Sequence, residues 1–212
     1  HVPGSVPALL RVAGEKQVRF EVRQAAAIQI KNICRECWTP RQPYPYSLAA
    51  LGNDGETAGE SIETIPGTTQ QSSQLPVLSD ADKAEIKEHL IRALLEEPEK
   101  SVRDLFAECL HTMVVHEFPG NWPNLIPTLL NTIREGIAAM EQPQTQQVAG
   151  LKVHNSLLAL RKVCKRYEYK SKDQRGPLND IVTAAFPMLL PLGQQLTHQN
   201  SLEAAMMLKQ IL

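Results

Sequence analysis

Leu125-Ile126-Pro127-Thr128-Leu129-Leu130 is echoed further along the chain by Ala185-Phe186-Pro187-Met188-Leu189-Leu190, a proline set inside an otherwise apolar helical run. A second pattern alternates with it. Val22-Arg23-Gln24-Ala25-Ala26-Ala27-Ile28-Gln29-Ile30-Lys31-Asn32-Ile33 and the run from Val102-Arg103 to Leu110-His111-Thr112-Met113 place apolar residues three and four apart, on one helical face. Self-similarity on this scale marks stacked helical hairpins, none of which can bury its apolar face alone. The expected fold is an all-α solenoid, and such a stack is more often a binding surface than a reaction vessel.

The flanking sequence divides into further helices. A helix tail is expected over residues 7–13, then a helix over residues 18–37 with the buried stripe Val22, Ala26, Ile30, Ile33 and Cys37. Trp38-Thr39-Pro40 closes it, because proline cannot continue the ladder and restrains the residue before it. Residues 40–78 are expected to form a flexible inserted loop. Between Pro40 and Pro76, Gly, Pro, Ser, Thr and Gln leave too little apolar surface to offset the entropy of ordering. Order resumes at Ser79-Asp80-Ala81-Asp82, with Ser79 as N-cap and the aspartates at the positive helix end. That helix should bury Ile86, Leu90, Leu94 and Leu95. The next, with Pro98 in its first turn, should bury Val102, Leu105, Cys109 and Met113. Asn121 is expected to cap a helix from Trp122 to Met140, bent at Pro127. A helix over residues 146–169 carries the stripe Val153, Leu157, Leu160, Cys164 and Tyr167. A proline-bent helix containing Pro187 follows Gly176-Pro177, and a last one starts near Ser201.

Composition narrows the function. A net charge of -1 argues against a general nucleic-acid or membrane-surface binder, since both lean on a positive field. No apolar run approaches the ~20 residues of a membrane span. The chain begins at His1 without a signal-peptide pattern and ends inside an apolar helical pattern, so it reads as a fragment of a longer protein. Of the four cysteines, Cys34 and Cys37 have the spacing of a redox or zinc pair, but no second pair or nearby histidine completes a site. They also fall at a helix C-terminus, whereas a reactive thiolate wants the N-terminus, so all four read as reduced structural cysteines of an intracellular protein. His111 and His116 are five apart, the wrong spacing for a zinc pair on one face. With no phosphate loop, nucleophile elbow or carboxylate pair beside a base, the chain is not expected to be an enzyme or to need a cofactor or metal.

Ile30-Lys31-Asn32-Ile33, Leu110-His111-Thr112-Met113 and Leu160-Arg161-Lys162-Val163 occupy equivalent places in three inner helices, separated by 80 and 50 positions. The second interval is close to the ~40–47 residues of HEAT units, and the first is one unit plus the inserted loop. The expectation is therefore a HEAT-repeat α-solenoid, a right-handed superhelix of about four stacked hairpins over residues 1–212.

With Trp38 and the string Glu117-Phe118-Pro119-Gly120-Asn121-Trp122-Pro123-Asn124-Leu125-Ile126-Pro127, these residues resemble the N-terminal repeats of importin-β-type karyopherins. Lys165-Arg166-Tyr167-Glu168-Tyr169-Lys170 and Arg175-Gly176-Pro177-Leu178 are most similar to the importin-seven and importin-eight branch. The chain departs from that pattern in lacking most of the first helix, in its longer loop after Trp38, and in stopping after about four repeats. The resemblance implies nuclear transport: binding of the small GTPase Ran in its GTP form, protein cargo and nucleoporins, with shuttling between cytoplasm and nucleus. It also implies that inner-helix residues Lys31, Asn32, Arg35, His111, Thr112, Arg161, Lys162 and Lys165 face Ran or another partner. Trp38, Glu117, Pro119, Trp122, Pro123, Pro127 and Pro187 are expected to shape the turns and helices between units. Three other readings stand beside this one: an exportin of the importin-α-recycling type, an unrelated HEAT-repeat scaffold, and an RNA-associated helical protein. The last would use Arg161, Lys162, Lys165, Arg166, Lys170, Lys172 and Arg175, with Tyr167 and Tyr169 interleaved. No membrane contact and no direct nucleic-acid contact are expected.

Overall fold

Every regular element in the computed structural model, which describes residues 4–40 and 77–212, is helical. The elements are α1 (Ser5–Gly14), α2 (Phe20–Cys37), α3 (Asp80–Leu95), α4 (Lys100–Glu117), α5 (Leu125–Met140), α6 (Gln146–Lys165), α7 (Gly176–Thr197) and α8 (Leu202–Ile211), with a 3-10 turn at Lys172–Gln174. Successive helices pair as four hairpins. The even-numbered helices pack one on the next as a continuous layer, α1 lies on α3, and α3 also reaches α6. This is the stacked-hairpin solenoid that the repeat pattern requires.

Local chemistry sets the helix ends. Ser79 caps α3 by accepting a hydrogen bond from the Asp82 N–H (3.1 Å), and Ser201 caps α8 through the Ala204 N–H (3.1 Å). Gly4 precedes α1 at φ 79°, a left-handed conformation that glycine adopts without a Cβ penalty. Its N–H donates to the Asp82 carboxylate (3.0 Å), tying the start of α1 to the first turn of α3. At Gly136 a Cβ would collide with Val153, so the missing side chain lets α5 and α6 approach closely.

Several expectations are corrected. Val22 is 49% exposed, because Arg23 rather than Val22 takes the inward position in the first turn of α2. Leu105 is only partly buried, and Phe106 takes the core position beside Val102. Pro98 lies ahead of α4, which begins at Lys100, and not in its first turn. Asn121 caps no helix: residues 118–124 form turns, and α5 starts at Leu125. Pro127 is thus the third residue of α5, where its missing N–H is one the helix never uses, and it breaks no internal bond. Pro187 and Pro191, by contrast, do sit inside α7. The helix α6 ends at Lys165, so Tyr167 is buried from the turn that follows it, and Cys164 is only partly buried. Most of the 40–78 loop expectation concerns residues 41–76, which lie outside the described residues. Its last residue is not loose: Leu78 is buried and its N–H donates to the Cys37 carbonyl (2.9 Å).

A buried polar chain links three hairpins. Glu97, fully excluded from solvent in the turn between α3 and α4, pairs with Arg23 of α2 and with Lys16 (2.8 Å). Arg23 also donates through Nε to the Ala13 carbonyl at the end of α1 (3.0 Å). The Glu97 carbonyl accepts from Asn155 Nδ2 (3.0 Å), which donates as well to the carbonyls of Leu94 (3.0 Å) and Leu95 (3.2 Å). Asn155 lies in α6 and is itself fully buried, so it satisfies carbonyls that the end of α3 leaves without helical partners.

Candidate functional site

The layer of even-numbered helices brings the inner-helix residues onto three successive neighbours. Lys31, Asn32 and Arg35 lie on α2, His111 and Thr112 on α4, and Arg161, Lys162 and Lys165 on α6. A charge alternation crosses the layer. Lys31 and Glu108 both act electrostatically on Cys109, and Glu108 forms an ion pair with Lys162. His111 Nδ1 lies 3.3 Å from the Lys162 carbonyl oxygen, which holds α4 against α6 at this level.

The eight residues are not equally available. Thr112 donates its hydroxyl to the Glu108 carbonyl one turn back (3.1 Å), and Arg161 donates to the Lys209 carbonyl on α8 (3.1 Å). Arg35 has only its neighbour Glu36, at 3.4 Å and largely in solvent, a pair of little energetic weight. Lys165 is exposed and pairs with no described carboxylate, and the half-buried Asn32 side chain makes no hydrogen bond to a described residue. Lys31, Asn32, Arg35 and Lys165 therefore offer polar groups that the fold leaves uncommitted. Glu108 was missed by sequence reasoning, because its partner is 54 residues away and no local pattern signals the pair.

The turn residues gather at one edge. Trp38, almost fully buried at the end of α2, donates its indole N–H to Glu117 (2.9 Å), and Lys87 of α3 reaches the other carboxylate oxygen (3.1 Å). Lys87 also donates to the Asn121 carbonyl (3.2 Å). Arg166 donates to the carbonyls of Val114 (2.7 Å) and Phe118, so the C-terminal end of α4 is capped from the end of α6. Trp122 packs half-buried against the core, while Pro119 and Pro123 are exposed in the turn. The seven-residue basic run is largely spent in this way. Arg161, Arg166 and Arg175 donate to backbone carbonyls, Lys162 is paired, and Tyr167 is buried.

Two of the thiols, Cys109 and Cys164, are not poised for chemistry. A hydrogen bond with Cys34, then burial, push the Cys109 thiol well above its ordinary pKa, and burial raises Cys164 to about 11. Both therefore stay protonated at neutral pH, where a thiol is a poor nucleophile. Among the described residues no cluster of metal-ligating side chains occurs, and no helix is long and apolar enough to cross a membrane.

Comparison with known proteins agrees with this architecture. Residues 1–96 match the family described as Importin-beta N-terminal domain. Over 206 residues the chain is 29% identical to Importin-8 of Danio rerio, covering 97% of this chain and 16% of that protein. The same figures hold for Importin-8 of Homo sapiens. The chain thus spans only about a sixth of the length of these curated relatives. The solved structure described as "The exportin Cse1 in its cargo-free, cytoplasmic state" superposes with a TM-score of 0.63 at 17% identity, over 98% of this chain and 18% of that one. That likeness shows the fold, a HEAT-repeat solenoid.

Proposed function

Because this chain belongs to the importin-β-type karyopherins, we propose that it binds the small GTPase Ran in its GTP form and supports nuclear import of protein cargo. The observation that supports the reading is that α2, α4 and α6 pack as successive neighbours, with Lys31, Asn32 and Lys165 making no hydrogen bond or ion pair to a described residue and Arg35 meeting only the adjacent Glu36. A broad polar surface on rigid neighbouring helices suits recognition of a folded protein rather than catalysis. Transport by such a receptor rests on coupling: Ran-GTP and cargo affect each other's affinity through the state of the solenoid, with no chemistry done by the receptor. Import is favoured over export by the likeness to Importin-8. Nucleoporin contacts and shuttling between cytoplasm and nucleus belong to the same reading.

The test is binding of this chain to Ran loaded with GTP or with GDP, alongside the double variant Lys31→Glu, Lys165→Glu. These two positions are chosen because reversing Arg161 would also disturb its bond to α8. The expected result is GTP-selective binding, weakened at least about tenfold by the double reversal while helicity is unchanged. Absence of binding by the folded chain, or equal binding to both nucleotide states, would overturn Ran recognition and favour a scaffold role; GTP-selective binding insensitive to the reversal would exclude Lys31 and Lys165 from the contact.

A further inference from the structure

The helices α2 and α4 are copies of one element. Each has 18 residues, and Phe20, Arg23 and Ile30 of the first correspond to Lys100, Arg103 and Leu110 of the second. The turns that lead into α4 and α6 also match. Glu96-Glu97-Pro98-Glu99 in one corresponds to Glu141-Gln142-Pro143-Gln144 in the other, and Glu97 and Gln142 each donate their N–H to the carbonyl three residues back. Arg23 is neutralised by Glu97 of the following hairpin. The matching turn position ahead of α6 is Gln142, uncharged and exposed where Glu97 is buried, so this turn offers Arg103 no counterpart of the Glu97 carboxylate.

Arg103 is left a buried cation with no counter-charge. It is 6% exposed, its Nε has no hydrogen-bond partner, and no described carboxylate forms an ion pair with it. The counterpart atom of Arg23 donates to the Ala13 carbonyl. Burying an unpaired charge is costly, so a site that retains one is arranged for a counter-ion from outside. Arg103 lines a cavity of about 1230 Å³ where the second, third and fourth hairpins meet, with apolar walls from Met140, Leu192, Leu196 and Met207. His154 also lines it. Burial is the main cause that lowers its pKa, with the Arg103 charge acting in the same direction against the Asn155 hydrogen bond and Asp104, so it adds no second cation.

We propose that this cavity receives an acidic side chain of a partner protein, an Asp or Glu flanked by apolar residues, whose carboxylate pairs with Arg103. A single buried guanidinium balances one negative charge and matches a planar carboxylate through two parallel N–H donors. The exposed carboxylates of Glu141 and Glu203 at the rim repel a doubly charged phosphate more strongly than a singly charged carboxylate, which favours the carboxylate. The apolar walls accept the neighbouring residues of the same segment, and the volume suits a peptide more than a lone ion.

The experiment uses short fluorescent peptides with Glu between two leucines, or Gln in its place, titrated against this chain and against Arg103→Met and Arg103→Lys. The Glu peptide should bind this chain at least about tenfold more tightly than the Gln peptide, and the difference should vanish in Arg103→Met. Arg103→Lys, which keeps the charge but not the two parallel donors, should retain a reduced preference. Failure of the Glu peptide to bind, equal affinity for the two peptides, or an undiminished preference in folded Arg103→Met would overturn the proposal. Ran binding serves as a separate readout, so failure here is distinguishable from failure of the transport reading.

Discussion

At Glu97 a carboxylate with no access to solvent meets Arg23 and Lys16, while its own backbone N–H and carbonyl are held by Leu94 and Asn155. The attraction within such a pair is largely offset by the cost of dehydrating both charges, but removing one partner strands the other. Glu97→Gln keeps the shape and leaves Arg23 uncompensated, so it should lower stability by about 3–5 kcal/mol in urea unfolding. An effect below about 1 kcal/mol would mean that water or a displaced side chain solvates Arg23. Neither Glu97 nor Asn155 could be identified from local sequence. Each is a polar residue whose partners lie 58–81 positions away, and the pairing exists only once the hairpins stack.

The two proline helices, alike in sequence, differ as elements. Pro127 falls in the first turn of α5, where an N–H has no helical acceptor, and Pro187 falls in the interior of α7, where the Thr183 carbonyl loses its donor. Pro127→Ala should therefore change stability by less than about 0.5 kcal/mol. Pro187→Ala should stabilise by about 1 kcal/mol or more, read by thermal unfolding, because alanine restores the bond and relieves the ring clash. Equal effects at both sites would contradict the assigned helix start. Periodicity revealed what depends on one helix alone: the stripe through Ile30, Ile33 and Cys37, the run Ile86, Leu90 and Leu94, and the Ser79 cap. It failed at first turns, as at Val22 and Pro98, because neighbouring hairpins decide which side of a helix end is covered. For the candidate surface, sequence placed Lys31, His111 and Lys162 on adjoining helices but did not show that Glu108 and Lys209 already occupy Lys162 and Arg161.

Across the whole molecule, cohesion is uneven. The first three hairpins are joined by the Glu97 and Asn155 contacts, whereas α7 touches α5 only lightly and exposes Val182, Phe186 and Leu190. A solenoid opens in units whose free energies follow their neighbour contacts. Native-state hydrogen exchange should therefore release the amides of α7 and α8 at lower urea than those of α2, α4 and α6. A single common opening for all helices would refute that division. The turn before Pro98 carries a genetic consequence. Glutamate and glutamine codons differ at one nucleotide, so a single base change at position 97 is enough to strip the Arg23 joint of its counter-charge. A lineage could loosen the joint between two hairpins in one mutational step, without touching any apolar core residue.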